Sequence, residues 1–413
     1  MKVFGQCWSA RKGHLQGTHR TRAPEETLED YGRFLPQLGI TRIANVTGLD
    51  RIGLPVCVAI RPNARALATT QGKGETLAAA KASAMMEAIE SWHGEHISGP
   101  LWSASYRELV SQGPMPDPQL LALRSDASWD ANRPIDWIEG EDLFSGERLL
   151  LPFETVSNNF VEQPDYRPIF LKSTNGLASG NHLLEALLHG LLEVVERDAL
   201  TLWELQPETL RKSRQLDLTS IYDPHLAEII QVLNDRGVVL AAWDITSDLG
   251  LPTFTCTLAE NPDSPLWRPV AAVSGHGTHL QSEIALSRAI HEAIQSRVTM
   301  ISGSRDDMFP RDYRDAGGRD AHARLIRDWR EPAPALALRQ SEFPLGDNFE
   351  QDLATVLERL RAVGIEHALA VDLRRKDVDI PVVKVVVPGL EAVRTAVYRP
   401  GPRAQKLLQR GFQ

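Results

Sequence analysis

Apolar residues near the middle of the chain recur with the period of an α-helix and leave only one arc polar. Over residues 181–203, leucine and valine cover nearly the whole circumference, because each residue advances about 100° around the axis. The remaining arc carries Glu185, His189, Glu193 and Glu196. A helix so apolar is expected to be largely buried, and buried carboxylates need counter-charges. The pattern therefore predicts a buried helix with an acidic stripe.

The same arrangement occurs three times in the sequence. We predict repeat helices at about 75–95, 181–203 and 279–300, each preceded by a glycine-containing segment that we interpret as a loop. Each helix carries two carboxylate or amide side chains three residues apart, and these pairs are Glu87 and Glu90, Glu193 and Glu196, and Glu292 and Gln295. The first two pairs are offset by a constant 106 residues and the last two by 99. The chain therefore contains a diverged internal repeat.

Short apolar runs predict strands around these helices. Two strands are predicted before the first repeat helix, at 42–46 and 54–60, and two before the third, at 237–245 and 253–258. Other predicted features are an N-terminal arm at about 1–20, a helix from Pro24 to about Leu38, strand-like runs at 148–152 and 168–171, a helix at 350–363, a strand at 382–387, and a polar C-terminal tail at about 399–413 without an obvious element. We predict one α+β domain over 1–413, with mixed or antiparallel sheets, packed helices and internal strand–strand–loop–helix repeats.

Composition narrows the possible partners. The hydrophobic fraction of 42% and the charged fraction of 24% are typical of a soluble globular protein. A net charge of −9 argues against binding nucleic acid or an anionic membrane, because both need a basic surface. No apolar stretch approaches the length of about 18 residues that would span a membrane. Cys7, Cys57 and Cys256 lie far apart and predict ordinary thiols in a cytoplasmic protein.

The acidic stripes have two interpretations at this point. An acidic stripe on an amphipathic helix is usually a solvated face. Glutamates converging in a partly dry site would instead repel one another unless a cation were present, and all-oxygen ligands favour Mg²⁺. A di-iron site is disfavoured, because Glu90-x-x-His93 has no second Glu-x-x-His on the repeat helices.

The glycine segments also have two interpretations. Glycine before a helix is a common tight connection, whereas a helix N-terminus attracts phosphate, and Lys73 within the Gly-Lys-Gly of 72–74 favours anion binding. This segment lacks the spacing of a Walker motif. Thirteen residues of helix span about 20 Å. The glycine segment and the carboxylates of one helix therefore cannot both contact one triphosphate.

Four motifs, taken together, point to a known family. They are Gly-Lys-Gly at 72–74 followed by Ser83, Glu87 and Glu90; Ser173-Thr174-Asn175-Gly176 followed by Asn181, Glu185 and Glu193-x-x-Glu196-Arg197-Asp198; Arg288, Glu292, Gln295 and Arg297; and Val383-Lys384-Val385 ending in Pro388-Gly389. In these motifs the chain resembles the YcaO family of ATP-dependent enzymes that modify peptide backbone amides. The resemblance covers essentially the whole chain and implies a YcaO-like fold, with ATP and Mg²⁺ as cofactors.

The resemblance also implies roles for individual residues. The expected Mg²⁺ ligands are Glu87, Glu90, Glu185, Glu193 and Glu196. The expected nucleotide contacts are Arg20, Thr27, Lys73, Ser83, Asn181, Arg197, Arg288 and Gln295. The expected catalytic residues are Glu87, Glu193 and Arg297. The helical projection places Arg297 off the shared polar face, which makes Arg288 a substitute for it.

Within the family the product depends on the nucleophile. A Cys, Ser or Thr side chain of the peptide gives an azoline, and an external sulfide gives a thioamide. Azoline-forming members commonly end in a Pro-x-Pro-x-Pro tail, which this sequence lacks. Its region from Arg20 to Val56 resembles members that are paired with TfuA proteins and associated with thioamide formation.

We therefore favour thioamide formation on a peptide or protein substrate, with azoline formation as the alternative. A homodimer and a TfuA-like partner protein are also expected from the resemblance. Two further hypotheses remain, a non-catalytic ATP-binding accessory protein and a structural protein whose repeat helices only form a core.

Overall fold

The computed structural model describes residues 1–161, 166–314 and 318–410. Its N-terminal part holds a short hairpin, a helix, a sheet and the first repeat helix. These elements are β1 (Lys2–Val3), β2 (Gln6–Cys7), α1 (Pro24–Gly32), β3 (Arg42–Asn45), β4 (Val56–Ile60), β5 (Thr69–Lys73) and α2 (Leu77–Glu95). The strands β3, β4 and β5 pair antiparallel in that order.

The middle of the chain contains the second repeat helix, α4. Its elements are β6 (Leu101–Ser105), α3 (Tyr106–Val110), β7 (Pro134–Asp142), β8 (Arg148–Pro152), β9 (Leu177–Ser179), α4 (Leu183–Glu204), α5 (Glu208–Ser213) and α6 (Pro224–Asp235). Helix α4 is largely buried, as predicted, with leucines such as Leu184 and Leu187 fully enclosed.

The C-terminal part begins with a second three-stranded sheet. Its elements are β10 (Val238–Asp244), β11 (Thr253–Glu260), β12 (Val273–Thr278), α7 (Ser282–Ser302), α8 (Pro310–Arg314), α9 (Arg319–Arg330), α10 (Phe349–Ala362), β13 (Leu369–Asp372), β14 (Val382–Val386) and α11 (Pro402–Arg410). The strands β10, β11 and β12 pair antiparallel in that order. The predicted α+β fold with antiparallel sheets is confirmed.

The internal repeat is visible in the strand pairing. The repeat helices α2 and α7 each follow a three-stranded antiparallel sheet, whereas α4 follows β9 of a six-stranded sheet ordered β6-β7-β13-β14-β9, with β8 on β7. Each repeat helix also packs on the last strand of another unit: α2 on β9, α4 on β12, and α7 on β5. These helix–strand contacts therefore close the three units into a ring.

The glycine segments are not loops in the first and third units, so that interpretation is wrong. Gly72 lies in β5 and Gly275 lies in β12. A Cβ atom at Gly72 would overlap the backbone of Ala80 and Ala84, and one at Gly275 would overlap the backbone of the equivalent turn of α7. The glycines let each helix lie directly against the strand before it, with small residues between them.

Three other predictions differ from the structure. Helix α1 ends at Gly32 and not near Leu38, because a helix rarely continues into the residue before a proline, here Pro36. The 168–171 run forms only an isolated bridge between Leu123 and Phe170. The polar tail contains α11, which buries Ala404. Among the described residues, no helix combines the length and the hydropathy needed to cross a membrane.

Candidate functional site

The polar stripes of the three repeat helices face one cleft. Glu90, Glu193 and Glu292 are half-buried, and Glu87 is exposed. Glu90 Oε1 accepts hydrogen bonds from the backbone N–H and the hydroxyl of Ser179, at 2.8 and 2.7 Å, and so ties α2 to the strand that precedes α4. The ring arrangement of the units thus brings carboxylates as far apart in sequence as Glu87 and Glu292 into one place.

Burial, and to a smaller extent the neighbouring carboxylates, raises the pKa values of Glu87, Glu90 and Glu193. Burial, the largest cause, and the neighbouring Glu87 and Glu193 raise the pKa of Glu90 to about 8. Burial and the neighbouring Glu196 and Glu292 likewise raise the pKa of Glu193 to about 7. Burial raises the pKa of Glu87 to about 7 as well, although its exposure to the cleft lets solvent screen its charge more than at Glu90. The repulsion predicted from the sequence is therefore present.

Cationic side chains lie beside the same carboxylates, with Lys73 at the end of β5, Arg197 on α4 and Arg288 on α7. Lys73 Nζ is 2.9 Å from Glu292 Oε2, so a residue of the first unit pairs with a helix of the third. Burial raises the pKa of Glu292, but Lys73 and Arg197 outweigh burial and hold it well below its usual range. Arg197 Nη2 is 3.4 Å from Glu196 Oε1. Burial lowers the pKa of Arg288, and the Glu196 carboxylate opposes that effect.

A cluster of hydrogen-bonded residues joins the N-terminal arm to the start of α4. Glu185 Oε2 accepts from the backbone and the hydroxyl of Thr21, both at 2.9 Å, and Arg20 Nη1 is 3.6 Å from Glu185 Oε1. Thr27 Oγ1 donates to Asn181 Oδ1 at 3.0 Å, and the Asn181 backbone N–H lies 3.3 Å from Glu185 Oε1. Both oxygens of Glu185 are thus engaged, two helical turns before Glu193. Its predicted role as a metal ligand stays a prediction.

Two more predicted nucleotide contacts lie on the stripes. Ser83 is half-buried one turn before Glu87 on α2, and Gln295 follows Glu292 by one turn on α7. Gln295 Oε1 is buried and has no hydrogen-bond partner among the described residues, and the same holds for Arg288 Nε. Buried polar atoms without partners are costly. These two atoms are therefore available to a polar ligand in the cleft.

Arg297 is the one predicted site residue that the structure directs elsewhere. It is fully buried, its Nε donates to Asp50 Oδ2 at 2.8 Å, and its Nη2 donates to Glu260 Oε1. Two residues along a helix rotate a side chain by about 200°, so Arg297 points away from the face of Gln295. This placement argues against the predicted catalytic role and makes Arg297 part of a buried ion network.

Three residues near the carboxylates were not predicted for this site. Burial is the largest effect on the pKa of each carboxylate, and it is opposed by Arg305 at Glu87, by Lys384 at Glu193 and by His276 at Glu292. Lys384 lies in the fourth family motif, Val383-Lys384-Val385, but no role is predicted for it from the sequence. Arg305 follows α7 in an irregular segment, where no periodic pattern marks it.

The residues present fit Mg²⁺ bound together with phosphate. Within the described part of the chain, no group of three or more His, Cys, Asp or Glu side chains is arranged to hold a metal ion alone. Mg²⁺ usually takes one or two carboxylates and completes its octahedron with water and substrate phosphate oxygens. Mutually repelling glutamates facing Lys73, Arg197 and Arg288 suit such a shared site.

Comparison of the chain with other proteins reveals relatives of nearly its full length. It is 37% identical over 385 residues to an uncharacterized protein of Methanothermobacter thermautotrophicus, covering 92% of this chain and 97% of the relative. It is 36% identical over 384 residues to an uncharacterized protein in the tfuA 3′ region of Rhizobium leguminosarum bv. trifolii, covering 90% of this chain and 88% of the relative.

Solved structures share the fold. A heterocyclase in complex with substrate and cofactor superposes with a TM-score of 0.77 at 23% identity over 98% of this chain, which spans 57% of the heterocyclase. YcaO from Methanopyrus kandleri bound with AMPPCP and Mg²⁺ gives a TM-score of 0.71 at 24% identity, covering 92% of this chain and 95% of that one.

The family model that matches this chain extends over residues 71–391, from β5 beyond β14. Its description is YcaO cyclodehydratase, ATP- and Mg²⁺-binding, which confirms the predicted cofactors. The match includes all three repeat helices and the glutamates that they carry. The chain belongs to the YcaO family.

Proposed function

We propose that this protein uses Mg·ATP to phosphorylate the oxygen of a peptide backbone amide and installs a thioamide with sulfide as the sulfur donor. The observation that supports the ATP-dependent part most strongly is the cleft in which glutamates of three helices face Lys73, Arg197 and Arg288. The observation that favours a thioamide is the 36% identity to a protein in a tfuA 3′ region. A TfuA-like protein is accordingly the proposed partner.

The amide explains why ATP is needed. Its carbonyl carbon is a poor electrophile, and its oxygen leaves poorly. Bound Mg·ATP supplies the phosphoryl group that makes this oxygen a good leaving group. In the balanced reaction sulfur bonds to the carbonyl carbon, the C–O bond breaks, and the oxygen departs within inorganic phosphate. That phosphate also carries the proton of the hydrosulfide.

The side chains of the cleft divide this work between them. Glu87, Glu90, Glu193 and Glu196 are the proposed Mg²⁺ ligands, since their mutual repulsion falls when a divalent cation enters. Arg197 lies beside Glu196 at 3.4 Å and would neutralise charge on the phosphates. Fixed cations in a partly dry cleft stabilise the charge of phosphoryl transfer more than mobile ions in water do.

Residues at the edge of the cleft would bind and orient the nucleotide. Arg20 and Thr27 are held near the start of α4 by Glu185 and Asn181. Arg288 and Gln295 each present a buried polar atom without a partner in the described residues. Lys73 is extended toward the carboxylates by its ion pair with Glu292.

Azoline formation is the second candidate function. The fold similarity to a heterocyclase, with a TM-score of 0.77, favours it. Both functions use the same ATP chemistry and differ only in the nucleophile. A non-catalytic ATP-binding protein is the third candidate, and four glutamates facing one cleft argue against it.

Mass spectrometry of a candidate peptide separates these functions. The protein is incubated with peptide, ATP, Mg²⁺ and sulfide, with and without a TfuA-like protein. Exchange of oxygen for sulfur adds about 16 Da, whereas loss of water in azoline formation removes about 18 Da. Failure to consume ATP with any peptide, together with unchanged peptide mass, would leave only the accessory role. Sedimentation velocity tests the proposed homodimer in the same samples.

A further inference from the structure

A small cavity lies against α4 at Val194, the residue after Glu193. It has a volume of about 70 Å³ and is lined by residues that include Leu171, Ser173, Asn175, Val194 and Lys384. Val194 follows Glu193 directly on α4, so the cavity and the cleft lie on adjacent faces of one helical turn. Two motifs that the nucleotide site does not use, Ser173 to Gly176 and Val383 to Val385, therefore meet at this cavity.

Lys384 is the cationic residue that lines this cavity. It is only 2% exposed, and its Nζ donates a hydrogen bond of 2.6 Å to the carbonyl oxygen of Ser173. No other hydrogen bond of this ammonium group is found in the described part of the chain, although an ammonium group has three donors. A buried cation requires a counter-charge. Burial, the larger cause, lowers the pKa of Lys384 to about 8, and the nearby carboxylate of Glu193 opposes that shift.

The close approach of the two motifs shapes the cavity. Gly176 has a φ of 78°, and a Cβ atom there would overlap the carbonyl of Val385 on β14. Only glycine adopts this conformation in such close contact without strain. Asn175, the preceding residue, lines the cavity, and its Oδ1 is buried without a partner among the described residues. The cavity therefore offers one cationic donor and one free acceptor.

The other walls limit what can bind. Most of the remaining lining residues are apolar, and the one carboxylate among them, Glu391, already accepts hydrogen bonds from Tyr398 and from the backbone of Gly401 and Ala404. A strongly hydrated anion such as phosphate needs many donors, which these walls do not supply. A small, weakly hydrated monoanion with one hydrogen to donate matches them.

We propose that this cavity binds the hydrosulfide anion that attacks the peptide amide, with its sulfur on Lys384 and its S–H directed to Asn175. The assignment rests on the proposed thioamide chemistry and adds the place from which the nucleophile enters. The cavity contacts α4 at Val194, the residue that follows the proposed Mg²⁺ ligand Glu193. Lys384 is then a binding residue for the nucleophile and not for ATP.

Bromide is a suitable probe, because it is a weakly hydrated monoanion of similar size whose anomalous scattering locates it in crystals. We expect a bromide ion beside Lys384 in the wild-type protein. It should be absent from Lys384→Met, which removes the cation, and from Leu171→Phe, which fills the cavity and keeps the cation. Leu210→Phe, at an exposed leucine on α5, is the matched control and should retain the ion. Bromide only at other sites, or equal occupancy in Leu171→Phe, would overturn the assignment.

Kinetics separate this inference from the proposed function. In Leu171→Phe the KM for sulfide should rise by about tenfold while the KM for ATP stays within about twofold, since a tenfold change corresponds to about 1.4 kcal/mol. Thioamide formation with an unchanged sulfide KM would remove the cavity assignment and keep the function. Absence of thioamide from the wild type, with bromide bound at Lys384, would remove the function and keep an anion site.

Discussion

Replacement of Arg297 by methionine tests whether this arginine holds the fold together or acts on ATP. Its side chain is fully buried between Asp50 and Glu260, which are 1% and 0% exposed. Breaking a buried ion pair by removing one partner costs about 3–5 kcal/mol, because the remaining charge stays buried without compensation. In this variant Glu260 still has its ion pair with Arg51, whose Nη2 is 2.5 Å from Glu260 Oε2. Asp50 is therefore the carboxylate left without a partner in the variant. We expect the free energy of unfolding to fall by the lower value of this range, about 3 kcal/mol.

Urea unfolding measures this cost. With a denaturant dependence of about 3 kcal/mol per M, as suits a chain larger than small single domains, the midpoint should fall by about 1 M. Adding Asp50→Asn to the Arg297→Met variant should recover about 1 kcal/mol, because the uncompensated charge is then gone. Calorimetry at low temperature, where both variants are folded, should give an Mg·ATP affinity within about twofold of the wild type. An unchanged midpoint with affinity reduced about tenfold or more would refute the assignment and return Arg297 to the nucleotide site.

Three further predictions concern the cleft and the helix packing. Glu193→Gln should weaken Mg·ATP binding by about tenfold in calorimetry, because loss of a metal carboxylate leaves phosphate charge less compensated, whereas Glu208→Gln on exposed α5 should not. Burial raises the pKa of Glu90 to about 8, above its ordinary value, so this carboxyl stays protonated to higher pH in the folded protein than in the unfolded one. The thermal midpoint without ligand should fall as pH rises from 6 to 8.5, less so in Glu90→Gln, and a rise would contradict the reasoning. Gly275→Ala should lower the free energy of unfolding in urea by about 1–3 kcal/mol through overpacking, whereas Gly113→Ala, with open space around it, should change it little.

Sequence reasoning identified the repeat helices because their signal is periodic and local. The predicted range 181–203 matches α4 at Leu183–Glu204, and 75–95 matches α2 at Leu77–Glu95. The helical projection also identified which side chains share a face, and it placed Arg297 off that face. These results follow from the fixed geometry of 3.6 residues per turn.

What the sequence could not provide was contact between distant segments. Lys73 pairs with Glu292, and Lys384 lies beside Ser173, but no local pattern encodes either contact. The glycines of β5 and β12 predict loops, because glycine is a common turn residue. Glycine is needed at these positions because the backbone of a helix packs directly against the strand, and only the tertiary structure reveals that contact.

The strand β14 has a consequence for the order in which the protein is made. It lies in the sheet between β13 and β9, yet its residues 382–386 are synthesised about 200 residues after β9. A nascent chain that has exposed all three repeat helices still lacks Lys384 and the strand on which α4 packs. Contacts of such long sequence separation form late in folding. Ribosome-bound chains stopped before residue 382 should therefore fail to retain Mg·ATP. Nucleotide binding would then be limited to chains that already contain β14.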